Sequence, residues 1–187
     1  MITSRGRSAV FLDRDGTINV ERNYLSLIDD WEWIDGSIEA IKALNTAGFL
    51  IIVVSNQAGI ARGKYNVADV ESLHSLVAVE LARHGGVIDD FYFCSHHPEF
   101  GVERDCVCRK PKPGMLTMAS EKWGIDCQTS WMIGDKLIDI QAGLAVGVKT
   151  VLVQTGYGAR EVELVDNEQR VAKNLFEAVS RFILPGD

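Results

Sequence analysis

Asp13 and Asp15, two carboxylates one residue apart, close the apolar run Ala9-Val10-Phe11-Leu12 and are followed by Gly16-Thr17. Two acids at the end of a buried strand can hold Mg²⁺, and one can attack phosphorus while the other handles a proton. A solvated acidic turn has the same sequence, because the D-x-D pattern is short and common. Three more segments tilt the balance. Phe49 to Val54 is apolar and ends in Ser55-Asn56-Gln57, and Trp131-Met132-Ile133-Gly134 ends in Asp135-Lys136. Cys108-Arg109-Lys110-Pro111-Lys112-Pro113 sets basic side chains just before an expected helix. Ligand sites in open α/β sheets lie beyond the carboxyl ends of the strands. In a parallel sheet these four segments meet at one edge, collecting carboxylates, a hydroxyl, an amide and a lysine.

The elements that must position them alternate along the chain. Buried-strand patterns fall at 8–13, 49–54, 88–93, 130–134 and 148–153, with a weaker one at Arg170-Val171-Ala172. Helical patterns fall at 36–47, 67–83, 113–124, 137–146 and 174–183; Ile38, Ile41 and Leu44 recur at helical spacing, as do Leu73, Leu76, Val77 and Leu81. Residues 155–169 read as loop with a short helix. The alternation predicts an α/β fold with a doubly wound, mostly parallel sheet flanked by helices. Two stretches, 16–35 and 94–112, break the rhythm, and ordered loops of that length usually serve function.

The 187 residues, 47% of them hydrophobic, suit one domain spanning 1–187. A net charge of −7 with no basic stripe argues against nucleic acid as a partner. No apolar run approaches the roughly 20 residues that span a bilayer. The basic start, Met1 to Arg7, has no signal-peptide apolar core behind it. These features lead us to expect a cytoplasmic monomer with no membrane partner.

Cys94-x-His96 and Cys106-x-Cys108, separated by nine residues, offer three thiolates and an imidazole, the donor set of a closed, structural tetrahedral Zn²⁺ site. The enclosed loop, 94–108, has only Phe100 and Val102 besides Pro98 to bury, so a metal would supply its ordering free energy. Reactive or disulfide-bonded cysteines are the competing reading, which a reducing compartment disfavours. His96 spaces better than His97 with the C-x-C pair; His97 is expected to pack or hydrogen-bond at the pocket rim. Cys127 reads as an ordinary semi-buried thiol, and His74 and His84 as surface or capping histidines.

Asp13-x-Asp15-Gly16-Thr17, Ser55-Asn56, Lys110 and Gly134-Asp135-x-x-x-Asp139, in this order, resemble the haloacid dehalogenase (HAD) superfamily of phosphatases over residues 8 to 155. The resemblance implies Asp13 as nucleophile and Asp15 as the acid and then base. It implies that Ser55 and Lys110 hold the transferring phosphoryl group. Catalytic Mg²⁺ would sit on Asp13, the main-chain carbonyl of Asp15, and Asp135. The loops Ser55 to Lys64, Cys94 to Pro98 and Cys106 to Pro111 resemble the heptose-1,7-bisphosphate 7-phosphatase branch of bacterial heptose and lipopolysaccharide-precursor biosynthesis. Near relatives there, the histidinol-phosphate phosphatases, are the alternative. The same resemblance implies a small sugar bisphosphate lined by Glu21, Arg22, Asn23, Tyr24, Ser55, Asn56, Gln57, Ala58, Arg109, Lys110 and Lys136. Solvated loop residues are the competing reading for Arg22 and Tyr24. Asp139 either orients Lys136 or a metal's water ligands, or is a helix-surface acid. No segment is long enough for an inserted cap domain, so the zinc loop and the 19–35 loop must shape the pocket. Trp31 and Trp33 either wall it or pack on the core.

Overall fold

The computed structural model describes residues 6–186; the basic stretch up to Arg5 and the last residue lie outside it. The chain runs β1 (Ala9–Leu12), α1 (Ser37–Thr46), β2 (Leu50–Asn56), α2 (Ala58–Ala61), α3 (Val67–Arg83), β3 (Asp90–Cys94), α4 (Gly114–Trp123), β4 (Trp131–Gly134), α5 (Leu137–Ala145), β5 (Lys149–Val153), α6 (Gly158–Glu161), β6 (Arg170–Ala172) and α7 (Leu175–Ala178). All six strands pair in parallel, in the order β3-β2-β1-β4-β5-β6. β1 is fully buried because helices cover both faces of the sheet, which is why its four residues are all apolar.

Successive side chains in a strand point to opposite faces, and the two cores divide accordingly. Val10, Leu12, Ile51 and Val53 pack with α1 and α7 on one face. Ala9, Phe11, Ile52 and Val54 pack with α4 and α5 on the other. The chain winds outward from β1 through β2 to β3, then returns to lay β4, β5 and β6 on the other side. The strand order therefore reverses between β1 and β4, where a doubly wound sheet opens its ligand crevice.

Three expectations need adjusting. The 88–93 strand begins two residues later, at Asp90, and ends at Cys94. The 174–183 helix is α7 followed by a π-helical turn, Val179–Ile183, and α2 was below the length that periodicity can resolve. Leu76 faces solvent, whereas His74 is buried with Val70, Leu73 and Val77. Trp31 and Trp33 pack edge to face, their centroids 5.1 Å apart, against the core under α3. Apart from Cys94, which ends β3, the segments 16–35 and 94–112 hold no strand and no α-helix, only a 3₁₀ turn at Ile28–Asp30. No described helix is long and apolar enough to cross a membrane.

Candidate active site

Asp13 follows β1, Ser55 and Asn56 end β2, and Asp135 follows β4, so the sheet itself brings them to one edge. Lys110 has no strand to carry it. A reciprocal pair of hydrogen bonds seats it instead: its N–H donates to Asn56 Oδ1 and its carbonyl accepts from Asn56 Nδ2, both at 3.0 Å. The buried ammonium then lies 2.5 Å from Asp13 Oδ1, 2.7 Å from Asp139 Oδ1 and 2.7 Å from the Val54 carbonyl. Burial works against its charge, but Asp13 and Asp139 outweigh that and hold Lys110 protonated, above the ordinary lysine range. Asp139 is no surface acid: it is buried, and it also accepts from the Lys136 N–H at the start of α5 (3.0 Å).

Asp13, Asp15, Glu21, Asn23, Tyr24, Ser55, Asn56, Gln57, Ala58, Lys110, Lys136 and Asp139 all line one cavity of about 270 Å³. Two of the residues expected to line the substrate pocket do not. Arg22 turns to an ion pair with Glu32, lining a neighbouring hollow, and Arg109 donates to the His96 carbonyl (3.1 Å). Asn23 and Tyr24 adopt left-handed backbone, with φ of 46° and 64°, an uncommon pair of conformations for non-glycine residues and a form of strain that collects at ligand sites. Glu21 helps hold this bend by accepting from the Asn23 N–H (2.9 Å).

Sequence reasoning missed a ring of residues behind Asp15. Arg14, with no solvent exposure, donates to the Asp15 carboxylate (Nε 3.0–3.1 Å, Nη2 2.8 Å) and to the Leu25 carbonyl (3.1 Å). Behind it lies His74 Nε2, 3.4 Å from Arg14 Nη1, with its ring stacked 4.4 Å from that of Phe91. Asn19 Nδ2 and Gln57 Nε2 donate to Asp15 at 3.0 and 3.1 Å. Burial pushes the Asp15 carboxyl up, but Arg14 and these hydrogen bonds outweigh it and hold it below the usual carboxylate range. His74 is also driven down, to about 3, first by burial and then by Arg14. The signal was present: His74 sits four residues after Val70, on the buried stripe of α3. Tyr157, also unanticipated, lines the cavity with its ring 4.3 Å from Lys136 Nζ.

The site fits a hard divalent cation. Carboxylate oxygens of Asp13, Asp135 and Asp139 lie within 4.8 Å of one another. Asp135 Oδ1 is buried with no hydrogen-bond partner, while Oδ2 accepts from the Tyr157 N–H (2.8 Å). A Cβ on Gly16 or Gly156 would run into this carboxylate, so both glycines leave room for it. Burial and the neighbouring Asp13 push the Asp135 carboxyl above its ordinary range, as expected where a cation's charge is called for. Asp139 is committed to Lys110 and Lys136, which leaves Asp13 and Asp135 as the side chains fitted to hold Mg²⁺.

A second cluster joins Cys94, His96, Cys106 and Cys108, whose donor atoms also lie within 4.8 Å of one another. His96 Nδ1 is 3.6 Å from Cys94 Sγ and 3.2 Å from Cys108 Sγ. Its Nε2 meets Glu103 (3.1 Å), a carboxylate placed to fix the tautomer that bares Nδ1. Burial and the adjacent thiols push Cys94 far above the ordinary thiol range, so a cation is what would let these sulfurs ionise together. His97 stays outside the cluster, 3.1 Å from Arg62 Nη2 and beside Phe100, and does not line the cavity.

The sequence profile of the HAD-hydrolase-like family matches residues 107–178. The D-glycero-beta-D-manno-heptose-1,7-bisphosphate 7-phosphatase of Escherichia coli (strain K12) is 49% identical over 152 residues, covering 79% of this chain and 80% of that protein. The enzyme of the same name from Pasteurella multocida is 46% identical, covering 80% and 83%. Among solved structures, D,D-heptose 1,7-bisphosphate phosphatase from B. bronchiseptica, complexed with magnesium and phosphate, superposes with a TM-score of 0.87 at 31% identity, covering 96% of this chain and 99% of that one.

Proposed function

Because the chain belongs to the HAD-like hydrolases and is a phosphatase, we propose that it removes the 7-phosphate of D-glycero-D-manno-heptose 1,7-bisphosphate. An Asp13 carboxylate oxygen attacks the 7-phosphorus as the bond to the sugar oxygen breaks, giving an aspartyl-phosphate. Asp15 gives that leaving oxygen a proton. It then takes one from the water that attacks the phosphorus of the intermediate, releasing phosphate and restoring Asp13. The described surroundings of Asp15 hold it ionised, which suits the second half. Entry of a phosphate dianion raises its proton affinity for the first.

Ser55 and Lys110 hold the phosphoryl oxygens. Lys110 is within reach because it already lies 2.5 Å from Asp13, and Asp139 and Val54 keep it there. Asp13, Asp135 and the Asp15 carbonyl hold Mg²⁺, which when bound offsets charge on the phosphoryl group. The need is visible in the charge balance: Asp13, Asp15, Glu21, Asp135 and Asp139 outnumber Arg14, Lys110 and Lys136. Cys94, His96, Cys106 and Cys108 hold a structural Zn²⁺ that orders the loop leading into Arg109 and Lys110. The strained Asn23-Tyr24 bend and Lys136 face the sugar. The chain acts as a cytoplasmic monomer on a small molecule, in bacterial heptose biosynthesis.

The observation that carries this reading is the buried Lys110 ammonium against Asp13 in a cavity shared with Asp15 and Ser55. The test is phosphate release, with Mg²⁺, from the α and β anomers of the heptose bisphosphate and from histidinol phosphate, side by side. Preference for one heptose anomer by at least tenfold in kcat/KM supports the reading; the names of the curated relatives make β the expected one. Preference for histidinol phosphate would overturn the substrate while leaving the chemistry in place.

A further inference from the structure

Gln57 is 2% exposed, and its amide sits between two groups that act on phosphate. Its Nε2 donates to Ser55 Oγ (2.7 Å) and to Asp15 Oδ2 (3.1 Å). An ionised carboxylate only accepts, so the amide nitrogen must face Asp15 and the carbonyl oxygen must face away. That oxygen meets the Tyr65 hydroxyl, which donates to Gln57 Oε1 at 2.6 Å.

Tyr65 is itself fixed from both sides in the chain. After α2 the backbone doubles back, with Gly63 N–H on the Ile60 carbonyl (3.0 Å) and Lys64 N–H on the Gly59 carbonyl (2.9 Å). The next residue, Asn66, starts α3 with a reciprocal cap: Asp69 N–H donates to Asn66 Oδ1 (3.1 Å) and Asn66 N–H to Asp69 Oδ2 (2.8 Å). The ring lies so close over Gly59 that no Cβ fits there. The chain thus uses a glycine and a helix cap to hold one phenol hydroxyl against one amide oxygen.

We propose that Tyr65 is a positioning residue of this active site: its hydroxyl locks the Gln57 amide in the orientation that holds Ser55 and Asp15. Because Ser55 Oγ accepts from Gln57, its own proton is left to donate to a phosphoryl oxygen. Without the Tyr65 hydroxyl, Gln57 Oε1 loses its partner in a buried place, and the amide is free to turn. Turned, it presents an oxygen to the Asp15 carboxylate and no donor to Ser55. The role of Tyr65 rests on the phosphatase mechanism proposed above, but its geometry does not depend on which phosphate ester is the substrate.

The test has two readouts. Tyr65→Phe keeps the ring over Gly59 and removes one oxygen, so its unfolding midpoint should stay within a few degrees of the parent. On the heptose bisphosphate with Mg²⁺, kcat should fall about tenfold, the rate equivalent of one hydrogen bond, with KM changed less than twofold. In a Gln57→Ala background the same change should cost less than twofold, because Tyr65 then has nothing to orient. A full tenfold cost in that background, or an unchanged kcat in Tyr65→Phe alone, would overturn the proposal. The second readout needs no substrate: the Gln57 side-chain amide proton signals should be sharp and protected in the parent, and broadened in Tyr65→Phe. If the parent fails to turn over the sugar bisphosphate, the proposed substrate is wrong. The amide signals then decide the role of Tyr65 alone, and identical signals in the two proteins would refute it.

Discussion

His74 couples the stability of this fold to pH in a way that can be calculated. It is buried under Arg14, stacked on Phe91, and held neutral down to about pH 3. In the unfolded chain an ordinary histidine takes up its proton near pH 6.5. The folded pKa is therefore depressed, the unfolded chain binds more protons, and stability falls as pH drops from 6.5 towards 3. At pH 5 the linkage amounts to RT ln(1 + 10^1.5), about 2 kcal/mol relative to pH 8. For a chain of this size that is about 4–8 °C in Tm. His74→Gln keeps an acceptor for Arg14 and cannot titrate. Urea unfolding of both proteins at pH 8 and pH 5, at fixed metal concentrations, isolates the contribution. Every other ionisable group is common to both proteins, so its contribution cancels in the difference. We expect the parent to lose about 2 kcal/mol more than the variant over this interval. Equal losses would show that His74 is protonated in the folded protein, and that the buried Arg14–His74 contact is wrongly understood.

Cys106→Ser should lower bound zinc well below one per chain and slow turnover through displacement of Lys110, checked by metal analysis beside kinetics; full zinc with parental kinetics would remove Cys106 from the ligand set. Gly156→Ala places a methyl group against Asp135 at a backbone φ of +56°, so the Mg²⁺ concentration for half-maximal activity should rise at least about tenfold. An unchanged magnesium titration would dissociate Asp135 from the cation. Arg22→Ala should leave KM within about twofold and stability within about 1 kcal/mol, because Arg22 spends its charge on an exposed pair with Glu32. A tenfold rise in KM would return Arg22 to the substrate.

Local patterns carried the fold because the strands that build the site are buried on both faces. β1, β2 and β4 are unbroken apolar runs, and each ends at a polar group that the sheet must deliver to its edge. The four-ligand cluster was equally legible, since metal donors come as recognisable pairs close in sequence. Charge was harder to read. Arg14, between two acids, gave no local sign of its place but is fully buried as the support of Asp15. Arg22 and Arg109, expected to line the substrate pocket, lie against Glu32 and the His96 carbonyl. Which partner a long cationic side chain takes is decided by loops folding onto one another, and no periodicity records that. Tyr65 lies furthest from local reading, since its function rests on an amide eight residues earlier and on a glycine that makes room for its ring.

One substitution tests the covalent role of Asp13. Asp13→Asn is nearly isosteric, and the residue lies at the strand end rather than in the apolar core, so the fold should persist. Phosphate release from the heptose bisphosphate with Mg²⁺ should then fall by a factor on the order of 10⁴ or more, as when a nucleophile is removed from a group that acts as a unit. That loss should come together with a cooperative unfolding transition like the parent's. A folded Asp13→Asn protein that keeps appreciable turnover would contradict the aspartyl-phosphate route.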